Sequence, residues 1–372
     1  MRFSFFLYSS SPLHFRFQIL PDAECLARHE ARFKIIIKRV LIKHVEAFAR
    51  VPKPEFESTA HKTDLRMGKL LEEDETSLDG TTTILRTISK ELQLKDEQLL
   101  AHGDQLTVNR IVGAQETLAN EDTRADRLEN FIPVPGGFHF RWKLLRLTVD
   151  NWWVDQHFVG SVSHARVFLG RKRVDQDASH FAHSHEMIED LLEAHLLVLF
   201  WKLGGKDSTA QEIDEMIAAM IAELKKKEQE AGSLPHLHKT LVLAMLTYFD
   251  AHWATKAGNG DAIVDNERVA LLYLLGSKKS KNYKVTTFND LLTTLHLLPP
   301  YYARLSTANR VVNMQGENFL KRQKANQKQT KLTLSHLPCR DKRKLEGSGP
   351  PRGAHEPSLE ACPQWRAELE DS

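Results

Sequence analysis

Asp96-Glu97-Gln98-Leu99-Leu100-Ala101-His102-Gly103-Asp104-Gln105-Leu106-Thr107 is a short extended run that stops at a glycine and a carboxylate. Two readings of Asp104 are open. A carboxylate at a strand end is where metal-dependent nucleotidyl-transfer folds place their first Mg²⁺ ligand, and such chemistry needs two or three carboxylates holding ions roughly 4 Å apart. An aspartate after a glycine is also an ordinary helix N-cap, here for a helix beginning near Val108. A second run, Glu129–Pro135 followed by Gly136-Gly137-Phe138-His139, reads as a strand with a tight approach, since Gly and Pro mark strand ends and edges. Pairing of the two runs would bring Asp104 and His139 to one side of the core. A His–carboxylate pair there is either an acid–base couple or a hydrogen bond that fixes strand register.

Outward from this segment the pattern is helical. Residues 23–96 form a lead-in: a helix over Ala23–Val51 with Arg32, Lys34, Lys38, Arg39 and Lys43 around Ile35–Ile37, a connection at 52–80, and a short helix at Thr81–Leu94. The isoleucines spread around the first helix instead of forming one stripe, which favours burial against protein, with the charges left in water. Residues 97–140 are the strand-rich core and 141–316 the helical part. In the latter, Ser208 with Gln211 predicts a capping-box start. The stripe Ile213, Met216, Ile217, Met220, Ile221 and Leu224 has the 3–4 spacing of a buried helix face. Further helices are expected at Leu234–Trp253, Asn266–Leu275 and Phe288–Leu298. The run His180-Phe181-Ala182-His183-Ser184-His185-Glu186 has no metal-ligand spacing and reads as a helix start capped by Ser184.

The whole chain has 372 residues, a net charge of +2 and 3 cysteines. Near-neutral charge gives no global attraction to nucleic acid or membrane, and Cys25, Cys339 and Cys362 cannot form a disulfide scaffold or a Cys-ligated zinc module. No apolar run reaches the roughly 18 residues that a membrane span needs. Residues 1–22 are a poorly defined leader in which Ser9–Ser11 and Pro12 interrupt the apolar run. That is unlike a secretory signal and makes the expected location intracellular, in nucleus or cytoplasm. Residues 321–344 carry nine Lys/Arg and one Asp, a segment charge of +8, whereas 345–372 carry six acids and two Arg. Residues 317–372 hold too few apolar side chains for a core and are expected to be disordered. Within them Lys321, Arg322, Lys324, Lys328 and Lys331 are the candidate phosphate contacts for nucleic acid. P-loop, dinucleotide-fold, GxSxG and CxxC motifs are all missing.

At Gly103-Asp104-Gln105-Leu106-Thr107 the chain resembles the domain-of-unknown-function family 6589, a eukaryotic family with a mobile-element-like distribution. The resemblance spans roughly residues 25–316. It continues through Lys43-His44-Val45-Glu46, Glu121-Asp122, Asp126-Arg127-Leu128-Glu129, Ile132-Pro133-Val134-Pro135 with Phe138-His139, and the helix at Glu186–Phe200. It ends with Val269-Ala270-Leu271-Leu272-Tyr273, Asn282-Tyr283 and Asn309-Arg310-Val311-Val312-Asn313. Two departures stand out. Gly137 occupies a position where some members carry Asp, and after Asn313 the chain runs into Glu317-Asn318-Phe319-Leu320 and the basic tail, not an acidic segment.

The expected fold is therefore α+β and mostly helical, with a small sheet carrying Asp104 and His139. Two functions compete. One is a degenerate transposase- or integrase-like domain with an RNase-H-like sheet, nucleic acid as ancestral partner, and Asp104 as the remaining ligand of an ancestral Mg²⁺ site. Asp150, Asp155 and Glu267 are its candidate replacement carboxylates. The other is a non-catalytic helical scaffold for protein partners, with no cofactor, in which Asp104 and His139 only hold the strands together.

Overall fold

A computed structural model describes residues 19–58, 71–94, 97–226, 234–277, 281–308 and 310. The expected tail at 317–372, with its five candidate phosphate contacts, lies outside the described residues, as does most of the leader.

The first helix described in full is α1 (Ala23–His44), capped by Asp22, whose Oδ1 accepts the Cys25 N–H at 2.7 Å. Helix α2 (Leu78–Glu91) follows, capped by Ser77. Strand β1 (Leu99–Gly103) leads into α3 (Gln105–Thr117), and β2 (Phe131–Pro135) leads into α4 (Gly137–Asn151). The two strands pair in parallel, Leu99 opposite Phe131 and Gly103 opposite Pro135. Parallel neighbours need a crossover, which α3 supplies. Apolar residues of α2, α3 and the strands close this unit: Leu85, Ile111, Ala114, Leu128 and Phe131 form its centre. Both strands end at glycines for a steric reason. A Cβ at Gly103 would stand 2.6 Å from Cβ of Thr107, and one at Gly136 would stand 3.1 Å from the Gly103 carbonyl oxygen. The Gly136 N–H donates to that same oxygen at 2.6 Å.

His139 is not at the end of a strand, as the sequence suggested, but in the first turn of α4. Pro133 and Pro135 allow no long ladder, and the extended backbone at Gly136 caps the helix at once.

The remaining helices are α5 (Val162–Phe168), α6 (Phe181–Lys202), α7 (Ile213–Lys225), α8 (Leu234–Ala257), α9 (Gly260–Gly276), α10 (Lys281–Leu292, running into a wide turn at Thr293–Leu297) and α11 (Pro300–Ala308). α8 packs on α1, α4, α6, α7 and α9, and α10 bridges α9 to β2. No helix among the described residues is long and apolar enough to cross a membrane.

Three local expectations are corrected. The start of α7 is not the expected capping box: Glu212 stands at the N-cap without a side-chain cap bond, and its Oε2 instead accepts the Thr209 N–H at 2.7 Å and hydroxyl at 3.0 Å in the turn before the helix. Ser184 does not cap α6; it is buried inside the helix, and His180 stands at the cap. The basic charges of α1 do not simply sit in water. Arg32 donates to Asp250 at 2.8 and 2.9 Å and to Asp265 at 3.2 Å, while Lys43 pairs with Glu193 and Lys38 with Asp214.

Asp250 is wholly buried, and Arg32 is 13% exposed. Breaking a buried pair leaves an uncompensated charge. Asp250→Ala is therefore expected to cost about 3–5 kcal/mol in denaturant unfolding. Lys38→Met, whose partner Asp214 is largely exposed, should cost less than about 1 kcal/mol.

Candidate functional site

The parallel register carries the C-terminal ends of both strands to one place. Asp104 follows β1 there and caps α3: its Oδ1 accepts the Thr107 N–H at 2.7 Å. The amide and then the hydroxyl of Thr107, with smaller help from the nearby His139, hold the carboxyl below its ordinary value. Gln105 ties this corner to α10 through Thr286 Oγ1 at 2.7 Å. His139 thus lies close enough to act on the Asp104 carboxylate through space. The carboxylate's cap bond is the second of the two roles read from its sequence position.

Between this corner and the helical part lies a cavity of about 20 Å³, lined by Gln105, Pro135, Gly136, His139, Phe140, Glu267, Tyr283, Thr286, Thr287, Asp290 and Arg310. That is space for about one water. Its floor is an ion triad. Arg310 donates to Glu267 of α9 through Nη1 and to Asp290 of α10 through Nη2, and the three side chains are 1%, 2% and 3% exposed. Burial raises the Glu267 carboxyl well above its usual range; Arg310 opposes the shift and the adjacent Asp290 adds to it. Burial works against the charge of Arg310, but Asp290 and Glu267 more than offset it, so the guanidinium stays protonated. His102 in β1 is held neutral, its pKa lowered to about 4 by burial and then by Arg310.

Of the three replacement carboxylates, only Glu267 lines the cavity. Asp150 accepts from Gln176 Nε2 at 2.7 Å, and Asp155 accepts the His157 N–H at 2.8 Å within its own turn. The histidines of α6 also diverge. His183 contacts Arg173, His185 contacts Tyr248, and His195 lies against His238. Asp290 and Arg310 are the site residues that sequence reasoning missed. Arg310 belongs to a quoted motif, but nothing in its neighbours announces two buried acids 43 and 20 positions away. Gly137 gains meaning here. A Cβ at that position would stand 3.8 Å from Cβ of Arg310, so an aspartate there would bring a further carboxylate towards the triad.

Mg²⁺ does not fit this arrangement. Both candidate acids are engaged by Arg310, and Mg²⁺ keeps several waters for which a one-water cavity has no room. Among the described residues no group of three His, Cys, Asp or Glu side chains is placed to hold a metal ion.

The chain belongs to a family of unknown function (DUF6589), whose model matches residues 9–321. No curated protein and no solved structure matches it.

The triad predicts an asymmetry between its members. Arg310→Met strands two buried carboxylates and should cost about 3–5 kcal/mol. Glu267→Gln keeps the shape, replaces an acid already biased towards its neutral form, and leaves Arg310 paired with Asp290. Its cost should be about 1 kcal/mol, the scale of one hydrogen bond. Urea midpoints of the two variants check this order.

Proposed function

We propose that this chain is a non-catalytic helical module that binds partners and does not transform a substrate. The observation that carries the reading is the position of Arg310. Its guanidinium lies between Glu267 and Asp290, where a metal-dependent enzyme would need cations and water. Asp104 is likewise engaged by backbone amides at the start of α3. A cavity with room for about one water admits no phosphodiester.

A second reading, descent from a transposase- or integrase-like domain with an RNase-H-like sheet, draws on a different observation. Asp104, His139, Glu267 and Asp290 gather around the ends of two parallel strands. Acidic residues collected at strand ends are what metal-dependent nucleotidyl transfer requires. In this reading Arg310 now stands in for the metal charge, and the ancestral partner is nucleic acid.

The purified full chain, incubated with single- and double-stranded DNA in Mg²⁺ or Mn²⁺, is expected to show no cleavage or strand transfer. Asp104→Asn is the informative variant, because Asn caps a helix about as well as Asp and the fold survives. Metal-dependent cleavage that vanishes in Asp104→Asn would make the protein an enzyme and end the reading.

A further inference from the structure

Ile19, the first described residue, is helical and buried, and it packs against Leu271 of α9 and Leu291 of α10. From there the chain follows α9 backwards. The Leu20 carbonyl and the Asp22 carboxylate each accept from Arg268 Nη2, at 2.5 and 2.8 Å. Cys25 Sγ meets the Asp265 carbonyl at 3.8 Å, and Arg28 grips the Asp265 carboxylate. Positions 19, 22 and 25 thus stand level with 271, 268 and 265. Read upstream, the chain has passed Pro21 and still advances along α9 towards its C-terminal end.

That end presents apolar side chains to solvent. Leu275, one turn beyond Leu271, is 54% exposed. Across from it on α10, Lys284 Nζ donates to the Leu275 carbonyl at 3.2 Å. Phe288 stands one turn after Lys284 and one turn before Leu291, on the same face of α10, and is 38% exposed. The Leu271–Leu291 contact at one level and the Leu275–Lys284 bond at the next bring Leu275 and Phe288 to one groove between the two helices. Ile19 fills its inner end. Exposed apolar side chains that continue a buried cluster mark a surface built to be covered.

The sequence just before Ile19 suits that surface. Ser11-Pro12 is a helix start: a capping hydroxyl followed by the residue favoured at the first helical position. A helix over Pro12–Ile19 aligns Pro12, Phe15 and Ile19 on one face, at spacings of three and four. Helices rise about 1.5 Å per residue. Phe15, four residues before Ile19, therefore stands level with Leu275, four residues after Leu271. The family match begins at residue 9 and so includes this segment. We propose that residues 12–18 form a short helix seated in the groove of α9 and α10, with the Phe15 ring between Leu275 and Phe288. The chain thereby closes its own apolar face against outside partners. The contact does not involve the Arg310 triad, so its failure would leave the non-catalytic reading intact.

Cross-linking of the full chain tests it, in a background of Cys339→Ser and Cys362→Ser that leaves only the buried Cys25. With a short bis-maleimide, Phe15→Cys and Leu275→Cys should join within one chain, as read by mass spectrometry of the digest. Phe15→Cys with Leu92→Cys, an exposed position after α2, should not join. Amide exchange gives a second readout. Phe15→Asp should speed exchange over residues 284–292 by about tenfold or more, because burial of a ring this size shifts an opening equilibrium by that factor. Phe17→Asp, on the opposite face of the proposed helix, should change it little. Should Phe15→Asp fail to fold, the milder cysteine pair decides the matter. Linkage between two chains instead of within one gives the groove to a second copy and overturns the proposal. Linkage of Leu275→Cys to Phe319→Cys in place of residue 15 gives it to the C-terminal segment and also overturns it. So does the absence of any 15–275 link, or an exchange response that Phe15→Asp and Phe17→Asp share equally.

Discussion

Helix α9 carries four consecutive polar residues, Asp265, Asn266, Glu267 and Arg268, and all are at most 7% exposed. Burying such groups is tolerable only if each finds a partner. Both ends of the described chain supply those partners. Arg28 grips Asp265 with two bonds, at 2.9 and 2.7 Å, and Arg32 adds a third at 3.2 Å. Asp22, just before α1, accepts from Arg268 at 2.8 Å. Asn266 bonds its own helix at the Ala262 carbonyl, and Arg310 closes on Glu267. The helix at the centre thus dictates where the first helix and the last described residue must lie.

Such ion pairs are weak evidence for net stability, because each charge loses its water before it gains a partner. Their consequence is specificity. An apolar α9 could slide or rotate against α1 at modest cost, whereas one that presents Asp265 and Glu267 on opposite faces of a single turn accepts only neighbours with arginines at matching heights on both sides. The Asp250–Arg32 bonds repeat this logic on α8. Alignment of α8 and α9 in turn fixes α10 and α4, and through them the mouth of the cavity at the strand ends.

Local rules made part of this legible in the sequence. Gly103-Asp104 announces a strand end and a helix cap, and both are there, because a cap needs only its own next three residues. The stripe from Ile213 to Leu224 announces α7, whose buried face it is, apart from the half-buried Met216. Failures occur where the deciding contact is distant. The polar run at 265–268 looks like the exposed beginning of a helix, yet α9 starts at Gly260, and those residues are in its interior. The partners of Asp265 and Arg268 lie more than 200 positions upstream and that of Glu267 lies 43 positions downstream, beyond any local pattern. His139 was misplaced for a smaller reason: two glycines suggested a strand with a tight approach, and one of them instead allowed an immediate helix start.

Arg310 therefore has two effects that cannot be separated. It neutralises acids that the packing of α9 against α10 forces together, and it occupies the volume a bound cation would need. A divalent ion entering there would have to expel the guanidinium, shed part of its own hydration and still leave Arg310 a place to put its charge. Each step opposes binding, and none is offset within a cavity that holds about one water. The arrangement that lets this chain bury Glu267 and Asp290 is thus also what keeps them from acting as metal ligands.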